Sequence, residues 1–350
     1  MKLKIFFLVV YAGFAFLTSG DFAQDGSTVQ PYVSNVSKTG TTVAAFLEIG
    51  AGARAQSMGG AFAAVADDAT AMYWNPAGIS RLGKVEATFN YANWFLDTQY
   101  AYTGLVAPVG NSMAVGINVT HFGFGEQPVR TIARPEGTGE VYGASDLALA
   151  LAFAANLTDR FSLGINLKYI NQNIWHESAN GFAMDLGALY DTPLKGLRLG
   201  FSIQNFGTDM RLAGRDIRRA YDPDPENYGN DAINVLYEMD SFSLPLKFRF
   251  GTSYKINISQ SQSLLLAADV LHPINNSESI NVGMEYIIFN ALQLRAGYES
   301  IFERDNISGL SLGAGVHYKI HKFMMFYLDY SWVDWGVLSS VNRFSVGFGF

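Results

Sequence analysis

Few residues of this 350-residue sequence are spaced for catalysis. The segment Gly309-Leu310-Ser311-Leu312-Gly313 matches G-x-S-x-G, a motif in which the serine is a nucleophile at a sharp turn between a strand and a helix. Here the serine lies within a run of alternating apolar residues, which is typical of a strand. The sequence has no cysteine, and its five histidines are scattered. We therefore expect no enzyme activity.

Motifs for cofactors and metal ions are equally weak. Gly50 and Gly52 begin a dinucleotide-binding pattern, but no third glycine follows in register, and there is no P-loop or H-E-x-x-H motif. The adjacent Asp67 and Asp68 lack the further oxygen ligands that a hard cation requires. We expect no metal and no cofactor, and we expect these two carboxylates to cap a helix end or to pair with an arginine of the lumen face.

The composition is that of a membrane protein and not of a nucleic-acid-binding one. The net charge is −7, whereas a nucleic-acid partner requires a basic face. Charged residues make up 16% of the chain, below the roughly 25% of soluble domains. Many of the 35 glycines lie inside strand-like segments, where they suit tight bends and close backbone approach.

The beginning of the sequence predicts export. Lys2 and Lys4 precede an apolar stretch over residues 5–17, and small residues follow at 18–20. This pattern is typical of a signal peptide over residues 1–20, with cleavage between residue 20 and Ala23. No later stretch reaches the ~20 apolar residues of a membrane helix. An exported chain this apolar can therefore meet lipid only as a closed barrel.

The alternation of apolar with polar or small residues predicts the strands of that barrel. Segments of ~9–11 residues can span the membrane when tilted, and an even number agrees with single-chain bacterial barrels. In one segment, Leu244, Leu246, Phe248 and Phe250 are the expected lipid-facing residues. The expected fold is all-β, a fourteen-stranded antiparallel transmembrane barrel. Its strands lie near residues 84–95, 99–109, 112–123, 144–156, 160–172, 181–191, 196–207, 243–256, 262–272, 278–288, 291–299, 307–318, 323–333 and 341–350.

The last strand carries a predicted assembly signal. A terminal aromatic residue on an alternating strand is what the outer-membrane assembly machinery recognises, so we expect that machinery and membrane lipid as partners. The signal residues are Phe344, Val346, Phe348 and Phe350. The connections on one side are short, and those on the other are mostly longer, as at Asn173–Asn180 and Thr208–Phe242. We therefore expect an outer-membrane protein with long extracellular loops and both termini in the periplasm.

Charges of both signs occupy the positions expected to face the lumen. Because unpaired charges in a narrow interior are costly, we expect cross-strand pairs and contacts to an inserted plug. Polar filling of the lumen explains this pattern more simply than a substrate path does. The predicted lumen-facing charges are Glu86, Asp146, Lys168, Asp185, Arg198, Lys247, Arg249, Asp269, Glu285, Arg295, Asp329 and Arg343.

Two segments precede the predicted barrel of residues 84–350. Residues 21–42 are rich in Ser, Thr, Gly and Gln, which is typical of a flexible lead-in. Residues 43–83 are rich in Ala and Gly with short helical patches, which indicates a compact plug, or hatch. In the hatch, Gly59-Gly60 suits close approach to a strand, and Asn75-Pro76 suits a turn.

The stretch from Gly52 to Gly78, GARAQSMGGAFAAVADDATAMYWNPAG, resembles the hatch of the PorV/PorQ family, whose barrels are similar to FadL-type long-chain fatty-acid transporters. The resemblance implies a fourteen-stranded barrel with the hatch, built of short helices, inside it. It covers the hatch closely and the barrel only as architecture. The residues that carry it are Gly52, Arg54, Met58, Gly59, Gly60, Asp67, Asp68, Asn75, Pro76 and Gly78.

The resemblance implies three alternative functions. PorV-like members are accessory or shuttle components of type IX secretion that bind partner or cargo proteins, and the motif favours this role. FadL-like members transport hydrophobic small molecules, which a gap in the hatch or a kinked strand would favour, with Gly123 and Gly125 as candidates for the kink. A structural scaffold in an envelope complex is the third alternative. The loop Thr208–Phe242, basic and then acidic, is typical of a protein-contact surface or of a solvated loop.

Overall fold

Fourteen long strands form a closed antiparallel barrel, which confirms the predicted fold. The computed structural model describes residues 38, 40–227, 233–303, 306–321 and 324–350. The predicted signal peptide lies outside these residues. The strands are β1 (Glu86–Asn93), β2 (Gln99–Val109), β3 (Met113–Pro128), β4 (Val141–Asn156), β5 (Phe161–Ile174), β6 (Glu177–Asp191), β7 (Leu197–Gly207), β8 (Lys247–Asn257), β9 (Gln262–Pro273), β10 (Ser279–Ile288), β11 (Leu292–Ile301), β12 (Leu310–His321), β13 (Met324–Asp334) and β14 (Ser340–Gly349). Closure occurs at β1, where Glu86 is opposite both Val106 and Gly349.

The two ends of the barrel differ in their connections. At the turn end, the connections are short, as at residues 110–112 and 289–291, and the amide of Phe350 donates to the carbonyl of Val85 at the same end. At the opposite loop end, the connections include residues 129–140 and 208–246. Within the described residues, no helix is both long and apolar enough to cross a membrane.

The predicted loop Asn173–Asn180 is wrong, because β5 and β6 continue through it. The strands run to Ile174 and from Glu177, and only two residues connect them. Side chains also bond across the two strands, with Asn171 Nδ2 donating to Asn180 Oδ1 at 2.8 Å. Polar residues therefore extend this part of the wall toward the loop end.

Leu244 also departs from its predicted position. It is buried against Phe46, Leu47 and Met210 at the loop end and does not face lipid. The reason is that β8 begins only at Lys247, since Pro245 has no N–H to donate to a strand neighbour. The residues before β8 instead cover the chain that enters the lumen.

Residues 40–83 lie inside the barrel, and we call them the inner segment. They contain a 3₁₀ helix (Ala45–Glu48), helix α1 (Ala53–Ser57), helix α2 (Ala71–Trp74) and a second 3₁₀ helix (Pro76–Arg81). The segment enters at the loop end, where Thr42 pairs with Ser243, and leaves at the turn end before β1. The described chain thus starts at the end opposite Phe350. The predicted periplasmic N-terminus lies outside the described residues.

Opposed glycines on neighbouring strands let the inner segment touch the backbone of the wall. Gly200 of β7 lies opposite Gly251 of β8. A Cβ on Gly200 would overlap the carbonyl oxygen of Ala63, and one on Gly251 would lie 2.9 Å from the nitrogen of Ala64. Two further opposed pairs are Gly283 with Gly297, against Met58, and Gly164 with Gly187, against Asn75 and Pro76. These contacts explain why glycines interrupt strands that are otherwise regular.

Candidate functional site

The inner segment follows the wall of the barrel from strand to strand. Backbone amides and polar side chains of the segment donate hydrogen bonds to the wall. The contacts with the opposed glycines lie between these hydrogen bonds along the segment. In chain order the bonds join Ala53 to Ser345 of β14 (2.7 Å), Phe62 to Asp269 of β9 (3.0 Å), Asn75 to the carbonyl of Ala188 on β6 (3.0 Å), and Ser80 to Asn156 of β4 (2.7 Å). The segment is thus fixed to strands around most of the circumference.

Arg54 of α1 lies at the centre of a buried charge cluster. Its Nε and Nη2 donate to the carboxylate of Glu285 on β10 at 2.8 and 2.9 Å. Its Nη1 donates to Asp67 at 2.5 Å and to Asp68 at 3.2 Å. Glu285 also accepts from Nε of Arg295 at 2.6 Å. The bidentate geometry gives Arg54 both charge compensation and a fixed orientation, so it joins the inner segment to the wall.

Most of the other predicted lumen charges form ion pairs on the inner face. Their partners lie on the adjacent strand, on the next strand but one, just before β1, or in the inner segment, and pairing of this kind compensates buried charge. The pairs are Lys168 with Asp185 (2.7 Å), Arg249 with Asp269 (3.4 Å), Arg295 with Asp329 (2.6 Å), Arg198 with Asp191 (2.7 Å), Glu86 with Lys84 (3.5 Å) and Lys247 with Glu48 (2.7 Å).

Two predicted lumen charges have no ion-pair partner among the described residues. Arg343 lies over the rings of Trp94 and Tyr100, 5.1 and 5.8 Å from their centroids, and its Nη1 donates to the carbonyl of Gly50 at 2.7 Å. Asp146 lies half-buried on β4. Arg343 is thus stabilised by aromatic faces and carbonyls in place of a carboxylate.

Asp67 and Asp68 pair with Arg54 of their own segment and, among the described residues, with no arginine of the wall. Asp68 Oδ1 also accepts from the amide and hydroxyl of Thr70 at 2.9 and 2.5 Å. Burial raises the pKa of Asp68, and the nearby Asp67 adds to this effect against the attraction of Arg54. Within the described ranges, no three Asp, Glu or His side chains lie close enough together to hold a metal ion.

The rest of the motif from Gly52 to Gly78 shapes the inner segment itself. Asn75 Oδ1 accepts from the amide of Ala77 at 3.2 Å, so it caps the second 3₁₀ helix, which Pro76 begins. Gly59 has a φ of +62°, and a Cβ there would lie 2.8 Å from backbone atoms of two wall strands. These positions require their residue types for local geometry, whatever the function of the barrel.

The lumen retains a cavity of about 540 Å³ at the loop end, which we call the loop-end cavity. The rings of Trp74, Trp94 and Trp335 form part of its lining. Its size is within the usual range for ligand pockets. The lining also carries charges of both signs, on Glu48, Lys247, Arg249, Glu299, Glu303 and Arg343.

A second cavity of about 250 Å³ lies on the other side of the inner segment, and we call it the turn-end cavity. Arg54, Asp67 and Asp68 line it from the inner segment. Glu86, Asn90, Glu285, His317 and Tyr327 line it from the wall. The inner segment therefore separates two cavities, each of which has charged residues in its lining.

Ser311 of the G-x-S-x-G match has a structural role. It lies in β12, and its Oγ accepts a hydrogen bond from the amide of Gly59 at 3.0 Å. The chain continues as a strand beyond it and does not turn into a helix, so the geometry of a nucleophile elbow is lacking.

Sequence reasoning missed several partners that the inner segment provides. Glu48 pairs with Lys247. Burial raises the pKa of Glu48, but the attraction to Lys247 and the hydrogen bonds from Lys247 and Asn275 outweigh burial, so the pKa of Glu48 is lowered overall. Glu48 is the single acidic residue between residues 40 and 66, which could have marked it as a partner of a lumen cation. Tyr73 was also missed, and its hydroxyl donates to the carbonyl of Leu47 at 2.8 Å.

A comparison with protein families gives the relationship of this chain. The profile described as type IX secretion system protein PorV matches residues 33–213, which is more than half of the 350 residues. The chain belongs to the PorV family. The matched range includes the inner segment and strands β1 to β7. A comparison with curated proteins found no match.

Solved structures show the same fold. The toluene transporter TbuX of Ralstonia pickettii is 15% identical with a TM-score of 0.51, covering 86% of this chain and 97% of that one. The CymD monoaromatic hydrocarbon channel has the same identity and coverage with a TM-score of 0.54. A FadL homologue of Pseudomonas aeruginosa is 13% identical with a TM-score of 0.51, covering 84% and 96%. The chain is thus an outer-membrane barrel of FadL-like fold.

Proposed function

We propose that this barrel is an accessory or shuttle component of type IX protein secretion, which binds partner or cargo proteins at its loop end. The observation that carries the proposal is the PorV-family match over residues 33–213. That range contains the whole motif from Gly52 to Gly78, which in this chain fixes the inner segment to the wall. The inner segment would then act as the hatch of a barrel whose function lies in binding.

The charged lumen supports binding over transport of an apolar solute. Arg54, Glu285 and Arg295 form one buried network between the inner segment and the wall, where a hydrophobic molecule would find no apolar partner. Separating such charges from their partners costs several kcal/mol, on the order of 3–5. The route past the inner segment is therefore unfavourable for a greasy solute.

The long connection at the loop end supports a protein partner. In it, residues 218–221 pair with residues 233–236 as a two-stranded hairpin. Tyr221 and Leu236 are exposed, and Arg218 and Arg219 form no ion pair with a carboxylate among the described residues. Exposed apolar side chains beside unpaired arginines are typical of protein-contact surfaces.

We further propose how the protein reaches and sits in the membrane. Residues 1–20 direct export, and the assembly machinery recognises the strand that carries Phe344, Val346, Phe348 and Phe350. The turn end then faces the periplasm and the loop end faces outward. The exposed apolar side chains of the wall, such as Phe344 and Phe350, contact lipid.

Isolation from native membranes in mild detergent, followed by mass spectrometry, tests the proposed function. We expect a large envelope protein in stoichiometric amount, or a secreted protein bound through its C-terminal domain. A lone barrel that carries a defined hydrophobic molecule would reverse the ranking and favour transport.

Transport of a hydrophobic small molecule is the second candidate, and one observation favours it. The pairing of β3 with β4 shifts register between Phe124 and Gln127, so the wall is irregular beside Gly123 and Gly125. The loop-end cavity and its three tryptophans lie at the same end. If transport is the function, a fluorescent aromatic probe should bind the purified barrel, and Trp335→Ala should weaken that binding.

A further inference from the structure

The turn-end cavity has a composition that the proposed secretion role does not explain. Four carboxylates line it, and they outnumber the two permanent cations. The carboxylates are Asp67, Asp68, Glu86 and Glu285, and the cations are Arg54 and Lys84. Glu285 also pairs with Arg295, which does not line the cavity and which pairs with Asp329 as well. The connected group therefore has five carboxylates and three permanent cations, and this excess of negative charge favours a positive guest.

Asn90 provides an independent indication of a guest. Its side chain lines the cavity from β1 and is only 3% exposed. Its Nδ2 lies 3.4 Å from Thr88 Oγ1 and from the carbonyl oxygen of Tyr102, whereas its Oδ1 has no hydrogen-bond partner in the described part of the chain. Buried polar atoms are nearly always satisfied. An unpaired acceptor in this cavity therefore indicates a donor that occupies it.

The arrangement of the carboxylates excludes a bare metal ion as this guest. No three acidic or histidine side chains of the described residues converge on one point. Asp67 pairs with Arg54, whereas Glu86 pairs with Lys84 and accepts from the amide of Ala69 at 2.8 Å. Separate acceptors around about 250 Å³ suit a small group that carries several N–H donors.

We propose that the turn-end cavity binds a primary alkylammonium group, of a small free amine or of a lysine side chain. An ammonium group offers three donors and one positive charge, which suits Asn90 Oδ1 and the carboxylates around it. The Tyr327 ring adds an aromatic face, over which the ammonium nitrogen of Lys84 already lies at 4.7 Å from the centroid. Burial raises the pKa of Asp68, and a bound cation would favour its ionised form.

Calorimetric titration of the full-length barrel in detergent micelles tests this inference. The probes are n-butylammonium, the neutral isostere n-butanol, and the blocked peptide acetyl-Gly-Lys-Gly-amide. We expect saturable binding of one equivalent of an ammonium probe and none of butanol. Tenfold tighter binding of the peptide would indicate a lysine of a partner protein, and tenfold tighter binding of butylammonium would indicate a free amine.

Two variants and a control make the test specific. Asn90→Leu keeps the size of the side chain without its acceptor, and Asp67→Asn removes a charge from a side chain that is 49% exposed, so folding is preserved. Each should weaken ammonium binding at least tenfold, whereas Glu303→Gln at the loop-end cavity should leave it unchanged. Absence of saturable ammonium binding, or equal binding by all variants, would overturn the inference. Either result leaves the secretion proposal untouched, because that proposal concerns the loop end.

Discussion

At the residue scale, Arg54 determines how firmly the inner segment is held. Its guanidinium compensates Glu285 of the wall together with Asp67 and Asp68 of its own segment. Arg54→Ala leaves the half-exposed Asp67 and the partly buried Asp68 without a cation, while the buried Glu285 keeps Arg295. We therefore expect a loss of about 2–3 kcal/mol in the free energy of unfolding, less than when a buried charge loses its one partner. Arg54→Lys keeps the charge but not the bidentate geometry, so its loss should be smaller. Urea titration of the barrel in micelles measures both.

Arg219→Ala is the matched control for this prediction. Arg219 lies in the exposed hairpin of the loop end, where its Nη1 donates only to backbone carbonyls. Surface substitutions of this kind change stability by no more than about 0.5 kcal/mol. If Arg54→Ala and Arg219→Ala unfold at the same urea concentration, Arg54 does not hold the segment.

At the element scale, the opposed glycines set the distance between the inner segment and the wall. Gly200→Ala would drive a methyl group into the carbonyl oxygen of Ala63, which also accepts from Asn75 Nδ2 at 2.7 Å. Because this oxygen is held from both sides, we expect overpacking to cost about 1–3 kcal/mol. We also expect faster trypsin cleavage within the inner segment, measured by mass spectrometry of the fragments.

Gly125→Ala provides the comparison on the same kind of element. Gly125 is in β3, and a Cβ there would have no heavy atom within 4 Å. This variant should match the wild type in stability and in trypsin resistance. If Gly200→Ala and Gly125→Ala lose stability and trypsin resistance to the same extent, the glycines are required by the strands themselves and not by their contacts with the inner segment.

The strands could be predicted from the sequence more completely than the inner segment could, and the difference has a physical cause. Alternation predicted the fourteen strands well, because each strand has one lipid face and one lumen face. It was wrong at residues 173–180, where Asn171 and Asn180 bond across strands, and at Leu244, where Pro245 delays the strand. The path of the inner segment was beyond sequence reasoning, since it depends on glycines that meet only in the closed barrel. The pattern predicts Glu285 as a lumen-facing charge, but it could not predict the partners Arg54 and Arg295, because they come from a separate segment and a separate strand.

At the scale of the whole molecule, the inner segment divides the barrel into two ends with different chemistry. The loop end has the long connection of residues 208–246 and a cavity with tryptophans and charges of both signs. The turn end has short turns and an acidic cavity. A partner protein and an ammonium group can therefore be recognised independently, one at each end, without a solute crossing between them.

The hairpin of the loop end allows the secretion proposal to be tested without disturbing the barrel. A two-stranded hairpin contributes little stability by itself, and residues 218–221 are exposed throughout. Replacing residues 218–236 with a Gly-Ser linker keeps the base of the loop, where Met210 pairs with Phe242 and Ala213 with Ser178. We expect the folded variant to have the same electrophoretic mobility as the folded wild-type barrel. Its purification from native membranes should yield at least tenfold less partner protein. As a control, the same replacement of residues 129–140, at the same end, should leave the amount of co-purified partner protein at the wild-type level. If the hairpin variant also co-purifies with the wild-type amount, the partner binds elsewhere on the barrel.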